Sequence, residues 1–314
     1  MASGWGACHM ASAPARSFFQ WPALRFVAQF RLQREIIGPS RVRFFFPSMA
    51  SRPPRPSQRR RASSASSAIS LFVIPGLPEI RKGHNLAKRT ALAARRAKIA
   101  FENGDILVVA QKIISKAEGG VLRLPAVQPS SQAIALGRKL SGDPRFIEVV
   151  LGESRRIVRS DRVLIVETHH GFVCANAGVD HSNVRGRDFV TLLPKDPDRS
   201  ARRLAAALGK ETGKRLAVII SDTFGRPWRL GLTNVAIGAS GVPALVDLRG
   251  TRDRYRKVLR ATILAVADEL AAAAGLLMAK SAGTPVVVIR GYRYPFVEDP
   301  AARIIRPARE DLFR

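Results

Sequence analysis

Three stretches place chemistry-bearing side chains directly after apolar runs. Asn176-Ala-Gly-Val-Asp180-His-Ser-Asn183 follows Phe172 to Ala175, and Ser221-Asp222-Thr223-Phe-Gly225-Arg226 follows Leu216 to Ile220. Gln111-Lys112-Ile-Ile-Ser115-Lys116-Ala-Glu118-Gly119-Gly120 follows Ile106 to Ala110. Polar groups at the ends of buried strands are costly unless something pairs with them, so function concentrates there. Asp180 and Asp222 each offer one carboxylate, and two carboxylates from separate strand ends can converge on a divalent cation. Magnesium takes oxygen ligands, commonly one or two carboxylates with water and substrate phosphates. A lone Asp after a strand is more often a turn or helix cap, and the repetition is what raises the metal reading. A Lys after a buried strand suits a phosphate as a point charge, and Gly119-Gly120 permits close backbone approach. Taken alone, that third segment reads as a solvated loop carrying a Lys–Glu pair. No G-x-x-x-x-G-K-[ST] loop occurs and no G-x-G-x-x-G follows a strand, so a nucleotide would need another phosphate cradle.

Other residues carry less. His169 and His170 fall in a hairpin turn, and Cys174 alternates within an apolar strand as a structural thiol would. Arg226, Arg229 and Arg290 sit at strand ends or beside Asp222, where they could hold an anionic substrate. Trp228 suits either an aromatic ligand ring or core packing. Arg202, Arg203, Lys210, Lys214 and Arg215 surround one helix as its solvated face.

The elements that must position these groups follow from the hydrophobic pattern. Leu71–Ile74, Ile106–Ala110, Leu216–Ser221 and Pro285–Ile289 are short continuous apolar runs, as expected of strands buried on both faces. Arg162–Thr168 and Phe172–Asn176 flank His169-His170-Gly171 as a hairpin. Helical spacing covers Asn85–Ala100, Ser130–Leu140, Pro144–Val150 and Ser200–Leu208, the last ended by Gly209 or Gly213. Ile263, Val266, Leu270 and Leu277 place one long helix over Val258–Lys280. Mixed strands and helices with one hairpin predict an α+β (mixed α/β) domain of roughly 240 residues.

The charge balance constrains partners. The chain of 314 residues carries 52 Lys plus Arg against 24 Asp plus Glu, a net +28. Residues 1–70 hold 11 Arg and one acid, Glu35, and so account for +10 at about twice the charge density of the remainder. Pro53-Pro54-Arg55-Pro56, Arg59-Arg60-Arg61 and the Ser/Ala run after them have a linker's composition. Residues 1–69 are expected to be a basic disordered extension ahead of a domain over 70–314. The extension reads as a targeting peptide, as a basic arm, or as sequence upstream of a true start at Met49. No apolar run reaches the ~20 residues of a membrane span and no secretory h-region is clear, so a cytoplasmic location is expected. Two cysteines, Cys8 and Cys174, exclude a disulfide scaffold and a Cys-based zinc site. Nucleic-acid binding would rest on the pI of about 11.6 and the arginine arm alone.

Seven segments in one order resemble the coenzyme F-420-0:L-glutamate ligase family. They are Pro75-Gly-Leu-Pro78, Gly104-Asp-Ile-Leu-Val-Val109, Ile114-Ser-Lys-Ala-Glu-Gly119, Asn176 to Asn183, Ser221 to Arg226, Ala236-Ile-Gly-Ala-Ser-Gly241 and Ala267-Asp-Glu-Leu-Ala271. The resemblance implies an α+β intertwined homodimer with no membrane or nucleic-acid partner. It implies a ligase joining L-glutamate to F-420-0 with GTP, one or two Mg²⁺ or Mn²⁺ ions, and K⁺. Carried over by position, Asp180 and Asp222 are ligands of one divalent metal and Thr223 contacts a second. Gly76, Leu77, Pro78, Glu79, Gln111, Lys116 and Asn183 are nucleotide contacts, and Asp180, Asp222 and Lys116 the catalytic set. Gln111 stands where the family commonly has Ser. Lys280 stands where some members have Glu or Gln, which puts the second metal in question.

Overall fold

The computed structural model describes residues 68–184, 186–278 and 283–311. The readings of residues 1–67 and of Lys280 lie outside them. In chain order the elements are β1 (Ser70–Val73), α1 (Leu86–Arg96), β2 (Ile106–Ala110), α2 (Gln111–Glu118), β3 (Val121–Arg123), α3 (Ser131–Leu140) and α4 (Pro144–Gly152). Next come β4 (Ser154–Ser160), β5 (Leu164–Thr168), β6 (Val173–Ala175), β7 (Phe189–Thr191) and α5 (Pro197–Thr212). Last are β8 (Ala217–Arg226), β9 (Arg229–Ser240), β10 (Val246–Asp247), β11 (Ile263–Leu264), α6 (Val266–Gly275) and β12 (Val286–Arg290). Single 3₁₀ turns cover Leu124–Ala126, Ala301–Ile304 and Ala308–Glu310, and Asn176–Gly178 is a turn of positive φ.

Five strands form the central sheet in the order β1-β12-β2-β8-β9, parallel between β2 and β8 and antiparallel elsewhere. Side chains alternate across it. Leu107, Val109, Val218, Ile220, Val286 and Val288 face α1 and α5, where Leu86, Ala93, Leu204 and Leu208 cover them. Ile106, Val108, Ala217, Ile219, Val287 and Ile289 face α6, against Val266, Leu270 and Ala274. Two covered faces explain why these strands read as continuous apolar runs. A third cluster gathers α3, α4 and the β4-β5-β6 sheet around Ile147, Val150, Leu164, Val166 and Val190. The result is α+β, as the pattern predicts.

Capping sets several boundaries. The Asn85 side chain accepts from Lys88 N–H at 3.0 Å to start α1, and Ser130 does the same for α3 from Ala133 N–H at 3.2 Å. Of the two glycines proposed to end α5, Gly213 does so, at φ +67.

Three expectations are overturned. The Gln111–Gly120 segment is a helix followed by a left-handed Gly119 rather than a solvated loop, because Ile113 and Ile114 are buried on one face of α2. The helix placed over Val258–Lys280 is interrupted: Ile263 and Leu264 pair with Val246 and Asp247 in a two-stranded ribbon, and α6 begins only at Val266. Val258, Arg260, Ile263 and Leu264, just before Val266, are exposed among the described residues. Arg290 lies at the opposite end of the sheet from Asp222, where it clasps the buried Asp105 through Nε at 2.8 Å and Nη2 at 2.7 Å. It is a structural ion pair and not a substrate contact. No helix among the described residues is long and apolar enough to cross a membrane.

Candidate functional site

The parallel pairing of β2 with β8 ends where Ala110 stands opposite Ser221. Open sheets leave a crevice at such an edge, and ligands settle in it. Here the crevice is a cavity of about 610 Å³. Gln111, Lys112 and Lys116 reach it from α2, Asp222 and Thr223 from β8, Asp180 and Asn183 from the loop after β6, and Leu77, Pro78 and Glu79 from the loop after β1. Of the metal, nucleotide and catalytic residues that the family resemblance implies, Gly76 alone is absent from the wall; it is the left-handed turn residue, φ +73, that leads the chain into Leu77.

Local backbone distortion aims both aspartates. β8 does not end at Ser221 but continues to Arg226, and its pairing with β9 slips between Ile220 and Ser221, immediately before Asp222. Such a bulge re-aims the side chains after it. Asp180 follows a turn in which Asn176, Ala177 and Gly178 all take positive φ, at 52, 53 and 70 degrees. A left-handed alanine is disfavoured by roughly 1–2 kcal/mol, so the turn is strained where the site is built. Gly178 is required twice over, since a Cβ there would also approach the Leu193 side chain to 2.8 Å.

The electrostatics separate the two carboxylates. Burial works to raise the Asp180 carboxyl, but Lys112 and the Ser182 hydroxyl and N–H outweigh it and hold the group down at about 2. Lys112 Nζ donates to Asp180 Oδ2 at 2.5 Å and also to Ser182 Oγ. Ser182 N–H donates to Asp180 Oδ1 at 2.8 Å. Asp222 is pushed up to about 6, first by burial and then by the neighbouring Asp180, against the pull of Thr223 N–H and Lys112. A cation between them would lower the cost of both charges. Lys116, one turn beyond Lys112 on α2, donates to Glu79 Oε1 and to the Asn183 carbonyl, both at 2.6 Å. Two lysines four residues apart thus enter one cavity from one helix face. The pairing of Lys112 with Asp180 spans 68 residues and has no signal in the local sequence.

The donor set suits a hard cation and a phosphate. Asp180, Asp222 and Thr223 present oxygen alone, as magnesium and manganese prefer. Among the described residues no group of three or more Asp, Glu, His or Cys side chains forms a metal cage. Two carboxylates leave positions for water and phosphate oxygens. Gln111 is buried, accepts from Ser115 Oγ at 3.0 Å, and leaves its Nε2 in the wall without an acceptor at bonding distance, although the carboxamide lies close enough to draw the Asp222 carboxyl down. An orphaned donor fits an anion. Cys174 also lines the cavity, but burial and the Asp222 charge push its thiol up to about 12, which disfavours the thiolate that a nucleophile needs. Arg226, Trp228 and Arg229 stand at the tip of the β8–β9 hairpin, outside the wall. His169 and His170 occupy the turn between β5 and β6 and bond the carbonyls of Gly152 and Pro194.

Comparison with known proteins agrees with the motif order. The family described as F420-0:Gamma-glutamyl ligase matches residues 76–291. The Coenzyme F420:L-glutamate ligase of Methanothermobacter thermautotrophicus is 43% identical over 250 residues, 78% of this chain and 99% of that protein. The protein of the same name from Methanocaldococcus jannaschii is 46% identical over 221 residues, 69% of this chain and 88% of its own. That of Methanopyrus kandleri is 44% identical over 247 residues, 77% of this chain and 96% of its own. With the family match spanning four of the five sheet strands, both lysines and both aspartates of the cavity, the chain belongs to the F420-0:gamma-glutamyl ligase family.

Proposed function

We propose that the protein joins L-glutamate to the side-chain carboxylate of the deazaflavin F-420-0 in an amide bond, at the expense of GTP. The observation that carries this reading is the meeting of Asp180, Asp222, Lys112 and Lys116 in one cavity at the end of a parallel strand pair. A carboxylate is a poor acyl donor and must first be activated. Transfer of the GTP γ-phosphoryl group to a carboxylate oxygen breaks the bond to the bridging β–γ oxygen and yields GDP and an acyl phosphate. The amine of glutamate then attacks the carbonyl carbon, the C–O bond to phosphate breaks, and the amine proton is lost to solvent or phosphate.

Each part of the wall has a role in that sequence. Lys112, Lys116, the Gln111 Nε2 donor and the N-terminus of α2 offset negative charge on the phosphates. Asp180, Asp222 and Thr223 would hold Mg²⁺ or Mn²⁺, which would offset the negative charge developing on the transferring phosphoryl group. Leu77, Pro78, Glu79 and Asn183 enclose the nucleotide. K⁺ as a further cofactor and a homodimer as the working assembly belong to the same reading. The domain's positive charge then serves to concentrate substrates that are all anions.

The deciding experiment incubates the purified protein with GTP, Mn²⁺, L-glutamate and F-420-0. Formation of GDP with a mass gain of one glutamyl residue is expected. The absence of both GDP and a mass gain would overturn the assignment. Gel filtration with light scattering tests the dimer.

A further inference from the structure

We propose that Lys112 is an exchangeable counter-ion, which neutralises Asp180 in the unliganded protein and releases it when a divalent cation binds. Metal and nucleotide binding would then be coupled through one side chain. The inference rests on the reading above that Asp180 and Asp222 hold the divalent cation.

Both oxygens of Asp180 are already engaged. Oδ1 accepts the Ser182 N–H at 2.8 Å, while Oδ2 accepts the Ser182 hydroxyl at 2.7 Å and the Lys112 ammonium at 2.5 Å. Oδ1 keeps one acceptor site, but Oδ2 is filled by two donors, so a metal on Oδ2 needs one of them to leave. Ser182 is fixed by the Asp180-to-Asn183 turn, whereas Lys112 hangs on a flexible four-carbon stem. The same ammonium is the cation that draws the Asp222 carboxyl down, so it stands in the field of both carboxylates. A divalent ion between those carboxylates would meet a like charge, and the lysine is the partner able to move. Lys116 cannot play this part, because Glu79 and the Asn183 carbonyl already hold it.

The position of Lys112 adds a second condition. It lies in the first turn of α2, where the helix dipole disfavours a cation. Its side chain is only 16% exposed, so water alone compensates it poorly once Asp180 is given up. The anion it requires in this cavity is a phosphate oxygen of the nucleotide. Metal alone therefore binds against the stranded ammonium, and metal with nucleotide binds without that cost. Because linkage is reciprocal, metal strengthens nucleotide binding by the same factor.

The test titrates Mn²⁺ by calorimetry into the wild-type protein, Lys112→Met and Lys112→Arg, with and without the β,γ-imido analogue of GTP. In the wild type and in Lys112→Arg, the analogue should tighten Mn²⁺ binding by roughly tenfold. In Lys112→Met, Mn²⁺ alone should bind roughly tenfold tighter than in the wild type, and the analogue should tighten it by a smaller factor than in the wild type, keeping only what its own phosphates contribute. Trace acetylation of the wild type with acetic anhydride, read by mass spectrometry, gives a measurement independent of how Lys112→Met folds. Lys112 should be protected without metal, labelled with Mn²⁺ alone, and protected again when the analogue is added. Mn²⁺ binding with equal or weaker affinity in a folded Lys112→Met, or with no change in Lys112 labelling, overturns the exchange alone. Failure of the wild type, with and without the analogue, and of each folded variant to bind Mn²⁺ overturns the metal reading and the exchange with it.

Discussion

Asp180 and Asp222 are alike in the sequence and opposite in their electrostatics. Asp180 sits at about 2 and Asp222 at about 6, because Lys112 pairs with the first and burial dominates the second. Their contributions to stability therefore run in opposite directions with pH. The raised group of Asp222 stabilises the metal-free fold below about 4, and that contribution is lost as pH rises through about 6. Asp222→Asn should accordingly abolish ligation while making the metal-free protein more stable at pH 7, by about 1–3 kcal/mol. Urea unfolding at pH 7 and pH 4 checks this, with the advantage shrinking at the lower pH. The depressed group of Asp180 contributes stability above the usual carboxylate range, lost as pH falls towards about 2. Asp180→Asn should lower the urea midpoint at pH 7, with the loss shrinking as pH falls through about 2. A site that destabilises its own protein until a ligand arrives is a common cost of function.

Elements, not residues, bring those side chains together. The strained turn Asn176-Ala177-Gly178 delivers Asp180, and Gly178 is its most constrained member. Gly178→Ala should cost about 1–3 kcal/mol in urea unfolding, from positive φ and the Leu193 contact together. Turnover should fall further than the loss of stability explains, because Asp180 shifts with the turn. β8 shows where strand patterning stops being informative. Its first five residues are buried on both faces and read as a strand, while its second half, Asp222 to Arg226, is partly exposed, polar and glycine-containing. Only pairing with β9 holds that half extended. β4, with Arg155, Arg156 and Arg159 exposed on an edge, escapes the hydrophobic pattern for the same reason. The ribbon of β10 and β11 exists through contacts between segments some 16 residues apart, and apolar spacing alone mistakes it for the start of α6.

Across the whole molecule the two ends of the sheet divide the labour. One end carries the cavity, and the other carries the clasp of Arg290 on Asp105, with Glu102 on the same guanidinium at 2.6 Å. Asp105 is 1% exposed, so removing its partner strands a buried charge. Arg290→Met should destabilise the protein by about 3–5 kcal/mol, seen as a fall in Tm. The KM for GTP should stay unchanged at a temperature where the variant is folded. A substrate role for Arg290 would show the reverse. Net positive charge acts at the same scale: raising ionic strength should increase the KM for GTP and F-420-0 more than it changes kcat.

Residue order alone was enough for the family, the α+β class, the buried strands and the aspartates and lysine expected to matter. Those properties are written locally: an apolar run, a cap, a glycine, a short polar motif. Three-dimensional packing decided the rest. That Gln111–Glu118 is a helix aimed along the cavity, that Lys112 rather than solvent faces Asp180, and that Arg290 serves Asp105 depend on contacts 68 to 185 residues apart. Hydrophobic period carries no information about which charged side chain meets which across that separation. Only the closing of the sheet, with β2 beside β8 and β12 reversed against β2, assigns each charge its partner.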